Sequence, residues 1–145
     1  MKYPKYPVVI TEDYSAYEFY SEGPVGRIKK MVSYKRIENC LFNLAFGDWN
    51  EKFREIDDSS RSNNGDRDKV LATVAFTAID FTSRNPGAMI FIEGSTPSRT
   101  RLYQMGIRCN LLEINEKFKV EGWIEERWEP FRLGRNYESF LVQRK

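Results

Sequence analysis

The stretch from Ala88 to Tyr103, AMIFIEGSTPSRTRLY, constrains the fold of this chain more than any other. A short apolar run stops at Gly94-Ser95-Thr96, and Pro97 then opens a helical pattern carrying Arg99 and Arg101 in its first turns. Ser95 and Thr96 suit the cap and Pro97 suits the first helical position. Gly94 permits the turn. A strand that feeds a helix in this way leaves backbone N–H groups unpaired at the positive end of the helix dipole. With hydroxyls and guanidinium groups beside it, such an end accepts an anion, typically a phosphate.

The rest of the chain divides by pattern. Residues 1–13 hold Pro4 and Pro7 and read as an extended arm. Ala16 to Glu22, Arg27 to Ile37 and Cys40 to Phe46 read as three antiparallel strands, the third stopped by Gly47-Asp48. Residues 49–67 form a long polar loop, a length that is usually functional or disordered. Asp66 is placed to cap the next helix, Asp68 to Arg84, which Asn85-Pro86-Gly87 ends. On the wheel Val70, Val74, Thr77 and Phe81 share one side, and only Lys69, Thr73, Asp80 and Arg84 make a polar strip. A helix this apolar is buried on more than one side. Ala88 to Glu93 is a central strand, Pro97 to about Asn115 a second helix, and Phe118 to Glu125 and Tyr137 to Arg144 the last two strands. The whole chain, 1–145, reads as a single α+β domain with the order β-β-β-α-β-α-β-β. Its sheet has about six strands, mostly antiparallel, with two helices packed on it.

Arg99 is the odd residue of the second helix. Its polar strip is Arg101, Gln104 and Arg108, whereas Leu102, Met105, Cys109 and Leu112 form one apolar stripe and Tyr103, Ile107, Leu111 and Ile114 another. Arg99 falls between Leu102 and Tyr103 and so points at the body of the protein. A guanidinium there needs a partner, either a carboxylate of the chain or a bound anion. A cleft at Arg99 favours the anion, and a dry core with a closed ion pair favours a purely structural role.

The blocks NNGD-x-x-KVLATVA (Asn63 to Ala75), GST-x-x-RTRLY (Gly94 to Tyr103), NLAFGD (Asn43 to Asp48) and the closing NYESFLVQRK resemble a family of small bacterial proteins of unknown function. The resemblance covers nearly the whole chain. It implies a single bacterial domain of this length and carries no activity with it.

Composition removes several chemistries. The chain has no histidine, the commonest general base and metal ligand. Cys40 and Cys109 are too few for a thiolate zinc site and read as buried free thiols, which fits an intracellular protein. Asp57, Asp58, Asp66 and Asp68 match no calcium-loop spacing and read as a solvated acidic loop. No metal and no cofactor is expected. The start, MKYPKYP, has no apolar segment of a signal peptide, and no run reaches the roughly 20 apolar residues of a membrane span. A cytoplasmic location without a membrane partner is the expectation.

Two classes of function stay open. In the first, the two helix N-termini converge on one sheet edge, and Asn63, Asn64, Lys69, Ser95, Thr96, Arg99 and Arg101 line a polar pocket for a phosphate-bearing ligand, preferably RNA or a nucleotide. Arg27, Lys29, Lys30, Lys35 and Arg36 on one strand, near Tyr20 and Tyr34, add basic groups and rings. A toxin-like ribonuclease is the sharper version, with Arg99 stabilising charge on phosphate. The second class is a non-catalytic protein-interaction module, a homodimer or an antitoxin-like partner, presenting Tyr3, Tyr6, Tyr14, Trp123, Trp128 and Phe131.

Overall fold

The structure, a computed structural model, describes residues 4–58 and 63–145. Its elements are β1 (Val9–Ile10), β2 (Ala16–Gly23), β3 (Gly26–Glu38), β4 (Leu41–Asn50), β5 (Glu55–Asp57), α1 (Arg67–Arg84) and β6 (Met89–Ile92). There follow α2 (Pro97–Cys109), α3 (Leu111–Lys117), β7 (Phe118–Ile124), β8 (Arg127–Pro130) and β9 (Ser139–Arg144). The strands form one sheet in the order β1-β2-β3-β4-β6-β9-β7-β8, with β5 paired to β4. Every pairing is antiparallel except β4 with β6, whose crossover contains α1.

Alternation along the strands sets the core. Tyr17, Phe19, Val32, Tyr34, Phe42, Leu44, Phe46, Ile90, Val120, Phe140 and Val142 face the helices and meet Val70, Val74, Phe81, Ile107 and Ile114. The α+β class and the largely antiparallel sheet match the sequence reading, but the element count does not. The described residues hold three helices and a nine-stranded sheet. β1, β5 and β8 are strands of two to four residues, too short for periodicity to reveal. β4 runs through Gly47-Asp48 to Asn50 instead of stopping there. Glycine is required at position 47 because the carbonyl oxygen of Asp57 would lie 2.2 Å from a Cβ placed there. The predicted loop 49–67 thus begins as a β4–β5 hairpin; residues 59–62 lie outside the described residues.

The expected second helix is two. Asn110, 4% exposed, breaks it. Its Nδ2 donates to the Gly106 carbonyl at 2.9 Å, and its own carbonyl accepts from Ile114 N at 2.9 Å to start α3. The break turns Leu112 out of the predicted apolar stripe, leaving it 86% exposed. Cys40 is also exposed, since it sits in the β3–β4 turn, and Cys109 is half-buried. Both thiols are free, but neither is a core residue.

Within the described part of the arm, Lys5 and Tyr6 dock on α1. Tyr6 N donates to Thr73 Oγ1 at 2.9 Å, which takes Thr73 out of its expected polar strip and buries it completely. Lys5 stands over the Phe76 ring. With the arm on one side and the sheet on another, the nearly all-round apolarity of α1 is accounted for.

Two tyrosines are tied to this helix through their hydroxyls. The Tyr17 hydroxyl donates to Asp80 Oδ2 at 2.7 Å and the Tyr34 hydroxyl shares a hydrogen bond with Thr77 Oγ1 at 2.8 Å. Burial pushes both phenols up, and both remain neutral donors at any physiological pH. Asp80 also accepts from Arg84 Nε at 2.8 Å. Burial works against its charge, but the Tyr17 hydroxyl and Arg84 outweigh it and hold the carboxyl below its ordinary value. A carboxyl held low in the folded state contributes stability above its unfolded pKa and loses it as pH falls through the folded value. Urea midpoints are therefore expected to drop between neutral pH and about pH 3, and to drop less in Asp80→Asn. An equal drop in the two proteins would remove Asp80 from the acid sensitivity.

Candidate functional site

At one end of the sheet the N-termini of α1 and α2 flank a cleft of about 320 Å³. Its polar lining includes Lys30, Asn63, Asn64, Asp66, Arg67, Ser98 and Arg99, and its apolar wall is Phe46, Val70, Leu71 and Leu102. Each side chain arrives there for a local reason.

Arg99 belongs to the first turn of α2. Thr96 caps that turn, its Oγ1 accepting from Arg99 N at 3.2 Å, with Pro97 following. Gly94 lets the end of β6 lie against the same turn, and its N–H donates to Thr100 Oγ1 at 3.0 Å. Held this way, the half-buried Arg99 points inward as its wheel position predicts. Its Nη2 donates to the Phe46 carbonyl at 2.8 Å, and the guanidinium stands 5.7 Å from the Phe46 ring centroid. It also faces Tyr103, whose hydroxyl burial pushes up to about 12 while Arg99 pulls the other way. Arg99 is thus held by chain groups and still borders the cleft.

Lys30 is the cation that sequence reasoning misassigned. Within β3 it shares a face with Val32 and Tyr34, so alternation carries it under the helices, and it is 7% exposed. Its Nζ reaches Asp48 Oδ1 at 2.5 Å and lies 5.8 Å from the Phe46 ring centroid. The period that marks Val32 and Tyr34 as core was the signal for it. The other residues of the expected basic strand patch do not assemble. Arg27 stands over the Tyr20 ring and pairs with Glu22, and Lys29 pairs on the outer face with Glu18 at 3.4 Å. Lys35 shares that outer face and is exposed, whereas Arg36 faces the other way. Tyr34, expected as a stacking ring, is core.

Asp66 stands at the head of α1 but makes no side-chain cap bond. Its Oδ2 instead accepts from the Tyr6 hydroxyl and from Ser21 Oγ, each at 2.5 Å. The first N–H groups of α1 are thereby left without the cap that Asp66 was expected to supply.

The remaining predicted residues are distributed unevenly. Asn63 lines the cleft in a left-handed conformation, φ 40°. Asn64 lines it too, but its amide is taken up by the chain. Oδ1 accepts from Val25 N at 2.8 Å, and Nδ2 donates to the Gly26 carbonyl at 2.8 Å and to Ser21 Oγ at 3.1 Å. Its role is to fasten the loop to the β2–β3 hairpin. Lys69 lies on the next groove, 4.2 Å over the Tyr6 ring. Ser95 is exposed and donates to the Asp58 carbonyl at 3.2 Å, Thr96 is occupied as cap, and Arg101 is exposed on the outer side of α2. None of these four lines the cleft.

The expected aromatic interface also thins out. Tyr3 lies outside the described residues, Tyr6 is buried, and Phe131 packs on Tyr137 and Phe140. Trp123 and Trp128 remain on the sheet face away from the helices, with ring centroids 5.3 Å apart, and Phe91 meets Trp128 at 6.5 Å. Tyr14 remains exposed elsewhere. Among the described residues no group of three His, Cys, Asp or Glu side chains is placed to hold a metal, and no helix is long and apolar enough to cross a membrane.

A helix-covered antiparallel sheet with a polar cleft between two helix N-termini defines the class of domain. The chain belongs to a family of unknown function, DUF6934, whose model matches residues 2–145. Neither a curated protein nor a solved structure matches the chain.

Proposed function

We propose that the cleft binds a phosphate-bearing ligand, a nucleotide or a terminal stretch of RNA. The observation that carries this reading is the convergence of two helix N-termini, of 18 and 13 residues, on one cleft. Lys30, Arg67 and Arg99 line it with one carboxylate, Asp66, and two of these cations are braced from behind, Lys30 by Asp48 and Arg67 by Asp68. Helix N-termini and guanidinium groups favour the same charge, and both act more strongly in a partly dry cleft than in water. Phe46, Leu102 and Val70 give an apolar wall against which a base or ribose can rest. A volume near 320 Å³ is at the small end of ligand sites and suits a mononucleotide better than a long tract.

The test is a titration of labelled single-stranded RNA and of a mononucleotide, with wild-type protein and Arg99→Ala, at low and moderate salt. Binding is expected to weaken with salt and to fall about tenfold or more in the variant, with the variant still folded. Shortened RNA on a gel would make the binder a ribonuclease. Binding that is indifferent to Arg99→Ala would sink the reading.

A non-catalytic protein-interaction role is the second reading. Its support is the ring cluster of Phe91, Trp123 and Trp128 on the uncovered sheet face, where Trp128 is 37% exposed. Aromatic residues of this kind anchor interfaces. No ligand binding together with a dimer in solution that Trp128→Ala dissociates would favour it.

A further inference from the structure

At the opposite end of the sheet lies a second cleft, of about 390 Å³, between the β1–β2 loop, the end of β3 and the C-terminus of α1. Two arginines rim it. Arg36 stands 5.2 Å from the Phe42 ring centroid, and among the described residues no carboxylate pairs with it. Arg84 is braced by Asp80 at 2.8 Å and stands 5.1 Å from the Tyr14 ring centroid. The floor is rigid: Tyr34 and Phe81 stack at 4.3 Å, and Phe42 meets Phe81 at 5.0 Å.

Tyr14 is the residue that asks for an explanation. Its φ is 59°, in the left-handed region, at the tip of a tight loop. Asp13 Oδ1 closes that loop by accepting from Thr11 Oγ1 at 2.8 Å, Ser15 Oγ at 2.8 Å and Ser15 N at 3.1 Å. Glycine or asparagine fits such a position, whereas a bulky side chain is strained there. The ring gains little burial in return, since it is 54% exposed. Strained residues of this kind gather at ligand sites. Here the strain holds an aromatic ring at the rim of a cleft lined by two guanidinium groups and by one carboxylate, Asp13, whose Oδ1 is taken up by its own loop.

We propose that this cleft binds a planar aromatic anion, its carboxylate or phosphate held between Arg36 and Arg84 and its ring resting against Tyr14. Two arginines supply paired, charge-assisted donors for one anionic group. Ring stacking on tyrosine selects a flat ligand over a saturated one of equal charge.

The experiment is calorimetric titration of the full chain with 2-naphthoate and with AMP, each against its ring-free counterpart, cyclohexanecarboxylate and inorganic phosphate. At least one ring-bearing anion is expected to bind about tenfold more tightly than its counterpart. The preferred arm tells a carboxylate site from a phosphate site. Arg36→Ala, at an exposed position, is expected to weaken that binding about tenfold, measured for AMP in an Arg99→Ala background so that the other cleft does not contribute. Tyr14→Asn is expected to weaken it too while melting no lower than the wild type, because asparagine tolerates the left-handed backbone. Loss of function without loss of stability separates a ligand-facing ring from a structural one. The proposal is overturned if neither ring-bearing anion binds, if the ring-free counterparts bind as well, or if binding survives both Arg36→Ala and Tyr14→Asn.

Discussion

Replacing Gly94 by valine is expected to cost the fold more than about 3 kcal/mol and to abolish any binding in the cleft between the helix N-termini. A Cβ at this position would lie 2.3 Å from Thr100 N, 2.6 Å from the Arg99 carbonyl carbon and 2.6 Å from Arg99 Cβ. Those are mostly backbone atoms of the first turn of α2, so no side-chain rotation relieves the clash. The strand end and the helix must separate, which breaks the Gly94 N–H bond to Thr100 and moves the base of Arg99. Gly134 is the matched control. It is left-handed at φ 81°, but nothing stands within 4 Å of its missing Cβ. Gly134→Ala should therefore cost only about 1 kcal/mol, the conformational penalty alone. Urea unfolding of the two variants checks the difference. Equal losses would mean that the strand end and the helix separate at little cost and that close approach does not require glycine at position 94.

The Gly94 segment also shows what the sequence made legible. Strand, cap and proline are local signals, and β6, Thr96 and Pro97 stand where those signals put them. So do β2, β3 and α1 with its end at Asn85. The inward aim of Arg99 follows from helix geometry alone. What was hidden depends on distant partners. The apolar period runs unbroken through Asn110, and only its buried amide on Gly106 divides α2 from α3. Asp66 has every local mark of a cap, but Tyr6 and Ser21 claim its carboxylate from 60 and 45 residues away. Tyr34 carries a ring that could stack a base, but the ring is buried and its face is taken by Phe81. The cleft is therefore half legible: Asn63 and Arg99 belong to local motifs and Lys30 to the core period of β3, whereas Phe46 is brought beside Lys30 by the register of the sheet.

Lys30 leads to the second large effect. Lys30→Met is expected to destabilise the protein by about 3 kcal/mol, and adding Asp48→Leu is expected to restore most of that loss. Asp48 has only 20% of its side chain exposed, and Lys30 is its ion-pair partner. Across the β4–β5 ladder it stands directly opposite Asp57, so removing the cation leaves two carboxylates facing each other. A buried charge without its counter-ion costs far more than the pair contributes, and an apolar pair of similar size is often as stable as the ions it replaces. The methionine stem fills the space beside Phe46 that the lysine stem occupied. Chemical denaturation of the two single variants and the double variant closes the cycle, and additivity would show that Lys30 does not act through Asp48. The same double variant separates stability from function. It keeps the fold and removes Lys30 together with its counter-ion, so a ligand phosphate that contacts Lys30 directly should bind it more weakly although the net charge of the cleft is unchanged. Full binding by a stable Lys30→Met/Asp48→Leu protein would leave Lys30 as a structural ion and Arg99 as the residue to pursue.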